Sequence, residues 1–187
     1  MTALDVNFAR AQFPAFAEPS LDGQAFFENA GGSYTCGQVI DRLHRFYTQR
    51  KVQPYGSYAV SQLGGAEMDE ARTRLAAMMN VETDELSFGP STSQNTYVLA
   101  HAFAETLSPG DVVIVTDQDH EANSGAWRRL EARGMEVREW QINDETGQLE
   151  TETLAGLLDE KVKLVCFPHC SNIIGQENPM PEIVAMA

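Results

Sequence analysis

Apolar and polar residues follow two alternating kinds of pattern from residue 85 onward. GDVVIVT, residues 110–116, is an almost continuous apolar run of the kind found in parallel strands buried on both faces. ELSF (85–88), MEVREWQI (135–142) and VKLVCF (162–167) predict further strands. Helical spacing is found over 91–107, 124–134, 151–160 and 179–187. Alternating strands and helices indicate an α/β fold, with a mostly parallel sheet flanked by crossover helices.

The segment before residue 85 has weaker patterns. Its spacing predicts, in chain order, a short strand over 24–29, a helix over 38–50, a Gly- and Tyr-rich loop over 51–65 and a helix over 66–79. Pro14 and Pro19 interrupt the apolar positions near the start, so we expect residues 1–30 to form an N-terminal arm.

The end of the chain bears on its domain organisation. Residues 180–187 begin a helix that, in a sheet of this kind, would lead to a further strand. We therefore expect residues 31–187 to be the first part of a larger domain, and the chain to be the N-terminal part of a longer protein.

Composition and charge narrow the classes of partner. The 43% hydrophobic content is enough for a core, and the net charge of −14 argues against a nucleic-acid partner, which would need clustered Lys and Arg. We expect no membrane span, because the chain has no apolar run of about 18 residues. The absence of a secretory signal predicts a cytoplasmic protein, in which three cysteines would stay reduced.

Three polar segments follow predicted strands, where open parallel sheets bind their ligands. In FGPSTSQNT (88–96), Ser91, Thr92 and Ser93 open a helix whose free N–H groups would bind a phosphate. Simple capping of the helix by these hydroxyls is the alternative, and for such a run alone it is the more common one.

The second segment, TDQDHEANSGAW (116–127), follows the most apolar strand. His120 stands among acidic residues, where an imidazole could be a general base, a metal ligand or a flat surface for an aromatic ligand. A metal would need a second His or Cys at ligand spacing, which this segment lacks. An inert loop histidine is the remaining alternative.

The third segment is PHCSN, residues 168–172. The Asn172 amide can donate a hydrogen bond to a ligand oxygen, and Gly175 allows the backbone to turn tightly. Cys166, His169 and Cys170 raise the alternative of a zinc half-site, although their spacing matches no common zinc pattern.

Taken together, these segments resemble the class V aminotransferase family of pyridoxal-phosphate (PLP) enzymes, and within it the cysteine-desulfurase-like branch. The resemblance rests on the order and spacing of five segments: FFENAGG (26–32), FGPSTSQNT (88–96), GDVVIVTDQDHEANSGAW (110–127), NDETGQLETETLAGLL (143–158) and HCSNIIGQENPMPEI (169–183). It implies a PLP fold type I large domain of three layers, incomplete in this chain.

The resemblance also implies roles for individual residues. Thr92 aligns with the family's phosphate-binding Thr, flanked by Ser91 and Ser93. His120 aligns with the His that stacks on the pyridine ring, which makes it the candidate catalytic residue. Asn172 aligns with the Asn that bonds the cofactor's phenolic oxygen.

The FFENAGG segment (26–32) and two differences from the family's usual pattern bear on the substrate. Asn29, Ala30 and Gly31 would line the substrate side. The chain has Ser93 where the family commonly has Glu, and Glu121 where it has a second His. These departures leave the PLP assignment intact and the substrate open.

The family's Schiff-base lysine, the Asp that pairs with the pyridine nitrogen and the desulfurase cysteine would all lie beyond residue 187. Lys51, Lys161 and Lys163 match none of these positions, so we expect the chain alone to be inactive. The resemblance implies a homodimeric cysteine desulfurase-like enzyme, with aminotransferase, lyase or epimerase activity as alternatives. A non-enzymatic α/β module that binds a phosphate ligand is a second class of hypothesis.

Overall fold

The computed structural model describes residues 3–187, which form two compact units, one ending at Ser87 and the other spanning Phe88–Ala187. The predicted arm over 1–30 contains a helix, α1 (Val6–Ala11), and two short 3-10 turns. Its first two residues lie outside the described residues. The proposed domain boundary at residue 30 stays a prediction.

The first unit is helical. Helix α2 (Gly37–Arg45) continues into a π-helical turn, Phe46–Arg50, which confirms the helix predicted over 38–50. The prediction of a strand over 24–29 is wrong, since this segment is irregular. A strand needs a neighbouring strand to pair with its backbone N–H and C=O groups. Phe26 packs instead on the Tyr34 ring at 4.7 Å between centroids, within an irregular segment.

Helix α3 (Ala59–Met79) begins seven residues before the predicted start at residue 66 and takes up part of the predicted loop 51–65. The Tyr55 ring packs against Gly65, where an added Cβ would lie 2.6 Å from a ring carbon. Tyr55 also donates a hydrogen bond from its hydroxyl to Asp69 at 2.8 Å. This packing stabilises a helix through two glycines, which intrinsic propensity disfavours.

The second unit is built on a parallel sheet of three strands in the order β2-β1-β3. Helix α4 (Thr92–Ala104) precedes the sheet, and the segment 85–88, predicted as a strand, is irregular. The strands are β1 (Val112–Thr116), β2 (Glu136–Trp140) and β3 (Val162–Val165). The remaining helices are α5 (Glu121–Arg128), α6 (Thr151–Leu157) and α7 (Met180–Met186).

Every residue of β1 is buried, as its apolar run predicts. Side chains alternate between the two faces of a strand. Val113 and Val115 therefore pack in one cluster with buried residues of α4 and α5, including Trp127. Val112 and Ile114 pack in the opposite cluster, which takes in Leu154 of α6 and Ile183 of α7. The predicted three-layer α/β architecture is confirmed.

Gly134 ends the helical segment after β1 in the left-handed region, with φ +91°. We expect Gly134→Ala to lower the free energy of unfolding by about 1–2 kcal/mol, because a Cβ is strained at this φ. It would also lie 3.2 Å from Pro109 Cβ. Urea denaturation of the protein measures the loss.

Gly156→Ala is the matched control, because Gly156 lies in α6 and an added Cβ meets no atom within 4 Å. It should raise the free energy of unfolding by roughly 0.5–1 kcal/mol. Equal effects of the two substitutions would contradict a special backbone requirement at Gly134.

None of the helices within residues 3–187 is both long and apolar enough to cross a lipid bilayer.

Candidate active site

The carboxyl ends of β1 and β3 lie side by side at one edge of the sheet, because the two strands are parallel neighbours. The loop 117–120 follows β1, and a turn that contains Asn172 follows β3. Sequence patterns placed His120 and Asn172 in these two segments, and the topology brings the segments to the same edge.

Asp119 organises the loop that carries His120. Its Oδ1 accepts a hydrogen bond from the backbone N–H of His120 at 2.7 Å. Its Oδ2 accepts one from the side-chain amide of Asn123. The Oδ1 of Asn123 in turn accepts a bond from the indole N–H of Trp127 at 3.2 Å, so a chain of hydrogen bonds runs from the buried core to the loop.

His120 is the N-cap of α5, a helix that begins at Glu121 rather than at the predicted residue 124. Its Nδ1 accepts a hydrogen bond from the backbone N–H of Ala122 at 2.9 Å. This bond assigns the proton of the neutral imidazole to Nε2. The side chain is exposed, which leaves a ring face and Nε2 available to a ligand.

The turn with Asn172 is a short hairpin-like segment. Cys170 and Glu177 form an antiparallel bridge, and the N–H of Ser171 donates to the carbonyl of Gln176 at 2.9 Å. Gly175 has φ +69°, as expected for the tight passage, and Asn172 is exposed near the tip.

A buried polar cluster that sequence patterns missed joins this turn to the His120 loop. Gln118 Oε1 accepts a hydrogen bond from Asn178 Nδ2 at 2.7 Å. The hydroxyl of Ser171 lies 3.5 Å from the carbonyl oxygen of Gln118. No local motif indicates these contacts, because the partners are 60 and 53 residues apart in the chain.

The start of α4 has the predicted capping geometry. Ser91 Oγ accepts a hydrogen bond from the N–H of Gln94 at 3.2 Å. The first i→i−4 bond of the helix runs from Asn95 to the carbonyl of Ser91, so the N–H groups of Thr92 and Ser93 have no intrahelical acceptor. Their exposed positions leave these two groups directed at solvent or a ligand.

Asn29, Ala30 and Gly31 belong to the first unit, where they form an exposed turn. Asn29 Oδ1 accepts a hydrogen bond from Ser33 Oγ at 3.1 Å, and the N–H of Gly31 donates to Glu28 at 3.1 Å. Their assignment to the substrate side stays a prediction.

The cysteines near the site are of two kinds. Burial, and then the negative charge of Asp119, raise the pKa of Cys166 to about 12, so it is a protonated thiol at neutral pH. Cys170 is exposed on the turn. Within residues 3–187 no three His, Cys, Asp or Glu side chains are grouped as metal ligands.

Lys161 and Lys163 lie away from the carboxyl edge. Lys161 directly precedes β3, at the amino end of the strand, and Lys163 donates from its Nζ to the carbonyl of Glu160 at 2.9 Å.

Comparison with known proteins relates both units to one family. The family model described as aminotransferase class-V matches residues 25–187. A cysteine desulfurase from Serratia proteamaculans (strain 568) is 32% identical over 188 residues, which cover 97% of this chain and 46% of that protein. The chain thus spans about half the length of the curated relatives that it matches.

Solved structures show the same fold. The apo structure of a cysteine desulfurase from Thermococcus onnurineus NA1 has a TM-score of 0.86 at 22% identity, over 100% of this chain and 46% of that one. A mutant of C-DES with glycine covalently linked to its PLP cofactor has a TM-score of 0.72 at 21% identity, over 95% and 45%. With the family model covering most of its length, this chain belongs to the aminotransferase class-V family.

Proposed function

We propose that the protein is a PLP-dependent enzyme that acts on an amino acid, with cysteine desulfuration as its reaction. The observation that carries the proposal is the meeting of the His120 loop and the Asn172 turn at the carboxyl edge of β1 and β3. Membership of the class-V family and the curated relatives named cysteine desulfurase support the same reaction.

The donor chemistry of the described residues fits the parts of PLP. The N–H groups and hydroxyls that open α4 suit a phosphate without requiring a basic side chain. The exposed His120 imidazole offers a flat surface for an aromatic ring, and the Asn172 amide offers a donor for an anionic oxygen. A phosphate, a ring and a phenolic oxygen are the groups that PLP presents.

Each residue then has a defined task. Ser91, Thr92 and Ser93 hold the phosphate, while His120 covers one face of the ring and keeps its proton on Nε2. Asn172 donates to the phenolic oxygen and so favours its ionised form. When bound, PLP supplies an electron sink for bonds at the Cα of an amino acid.

The finer features of the proposal come from the family resemblance. Asn29, Ala30 and Gly31 line the substrate side, the protein forms a homodimer, and it works in the cytoplasm.

Absorption spectroscopy of the full-length protein that contains this chain tests the proposal. We expect a band of bound PLP that shifts when cysteine is added, together with release of alanine. Sulfur leaves cysteine at the oxidation level of a persulfide, so sulfide should be released only when a thiol reductant such as dithiothreitol is added. A shift only with another amino acid would replace desulfuration by aminotransferase, lyase or epimerase activity. A folded protein that binds inorganic phosphate and shows no PLP band would make it a binding module.

The 187-residue chain alone provides a comparison. We propose that it has no turnover, because Lys161 and Lys163 lie away from the carboxyl edge of the sheet. Borohydride reduction in the presence of PLP followed by peptide mapping checks this. One stoichiometric label on either lysine would contradict it.

A further inference from the structure

We propose that Gln118, Ser171 and Asn178, here called the amide cluster, are positioning residues that hold the Asn172 turn against the His120 loop. The inference deepens the proposed function and rests on it, because it concerns how two PLP-contacting side chains keep their relative place. None of the three cluster residues is placed in contact with the cofactor.

Burial shows that the amide cluster belongs to the interior. The exposed fractions of Gln118, Ser171 and Asn178 are 6%, 3% and 5%. Polar groups are costly to bury unless their hydrogen bonds are made. Each of the three makes such bonds, and these bonds run between segments that are distant in the chain.

Asn178 closes the turn on itself and on the neighbouring loop. Its Nδ2 donates to the carbonyl of Pro168 at 2.8 Å and to Gln118 Oε1 at 2.7 Å. Its backbone N–H donates to the carbonyl of His169, also at 2.8 Å. The two ends of the turn are therefore joined by one residue, which also contacts the loop after β1.

Gln118 connects the cluster to a third segment. Its Nε2 donates to the carbonyl of Gly147 at 3.1 Å, and its backbone N–H donates to Thr116 Oγ1 at 3.0 Å. The loop residue two positions before His120 is thus fixed to the end of β1, to the 143–148 loop and to Asn178.

Ser171 carries the restraint to the tip of the turn. Its Oγ accepts from the N–H groups of Ile173 at 3.3 Å and Ile174 at 3.4 Å and donates to the carbonyl of Gln118. Asn172 lies between the hydroxyl-bearing residue and these two N–H groups. The backbone on both sides of Asn172 is therefore restrained by a hydroxyl that also contacts the His120 loop.

The test uses Asn178→Ala in the full-length protein. We expect amide hydrogen exchange to become faster at Ile173, Ile174 and His120 together, because the turn and the loop lose a shared restraint. The Kd for PLP should be about five- to tenfold higher than that of the native protein, which is the effect of losing one hydrogen bond of ordinary strength.

Two matched variants separate positioning from general loss of stability. Leu154→Val removes a methylene from the buried cluster under the sheet, and that cluster contains no residue of the His120 loop (117–120) or of the segment 168–178. If it lowers the melting temperature as much as Asn178→Ala does, it should still leave the PLP Kd unchanged. The rates of hydrogen exchange at the amides of Ile173, Ile174 and His120 should also stay as in the native protein. Gln118→Met has nearly the same length as the native residue and removes both side-chain bonds. It should act in the same direction as Asn178→Ala, and serves if that variant fails to fold.

Asn172→Ala, alone and combined with Asn178→Ala, distinguishes a failure of this inference from a failure of the proposed function. Asn172→Ala alone should raise the PLP Kd, and Asn178→Ala added to it should raise the Kd little further. An unchanged Kd in Asn172→Ala overturns the assigned role of Asn172, while the exchange rates still test the cluster. Faster exchange in the turn alone, or a Kd matched by Leu154→Val, overturns the positioning role.

Discussion

Trp127→Ala is expected to lower the free energy of unfolding of the protein by about 3–5 kcal/mol, the range for truncating a buried aromatic side chain. The Trp127 side chain is 4% exposed and packs edge-on against Phe103 of α4, with 5.9 Å between ring centroids. The same cluster contains Val113 and Val115 of β1, so the truncation opens a cavity between the sheet and its helices. Urea denaturation followed by circular dichroism measures the loss.

Trp127→Phe is the matched control. It keeps an aromatic ring in the cluster but removes the indole N–H that donates to Asn123 Oδ1. The expected loss is about 2 kcal/mol, because one hydrogen bond is lost and the smaller ring leaves part of the space of the indole unfilled. Equal losses in the two variants would contradict a stabilising contribution from packing of the aromatic ring that Trp127→Phe keeps.

His120→Asn is expected to raise the Kd of the full-length protein for PLP by about five- to tenfold. The reason is the loss of an aromatic contact with the pyridine ring, which contributes roughly 1 kcal/mol beyond the area that it buries. Asparagine is a good N-cap, so it keeps an acceptor for the first turn of α5 while it removes the ring. Fluorescence titration of the apo protein with PLP measures the change.

Two further variants complete this prediction. His120→Ala removes both the ring and the cap, and should lower the free energy of unfolding by about 1 kcal/mol in addition to weakening PLP. His101→Ala removes an exposed histidine of α4 that contacts Tyr97, with 4.1 Å between ring centroids, and should leave PLP binding unchanged. If His120→Asn binds PLP as tightly as the native protein, His120 does not stack on the cofactor.

The largest part of the second unit could be predicted from local patterns. An unbroken apolar run predicted β1, and periodic spacing predicted α4 and the helices between the strands, because burial on a strand or helix repeats at short intervals. The helical spacing over 124–134 ends at Gly134, whose φ of +91° glycine adopts without strain. The order of the strands in the sheet required the structure.

The first unit was harder to predict from sequence. The segment 24–29 has the composition of a strand but lacks a paired neighbour among residues 3–187, and α3 continues through Gly64 and Gly65. Packing of the Tyr55 ring on Gly65 outweighs the weak helix propensity of glycine. The helix propensity of the two glycines can be read from the local sequence, but the packing of the Tyr55 ring on Gly65 cannot.

The candidate site also contains residues that local sequence predicts and residues that only long-range contacts bring together. The sequence predicts Ser91, Thr92, His120 and Asn172 as candidate ligand contacts, because polar residues directly after apolar runs stand out in a linear pattern. Gln118 and Asn178 could not, since their hydrogen bond joins residues 60 positions apart. Such a bond exists only once neighbouring parallel strands have brought their carboxyl ends together. Local spacing therefore predicts which residues are candidates to meet a ligand, while long-range packing sets which of them lie side by side and what holds them there.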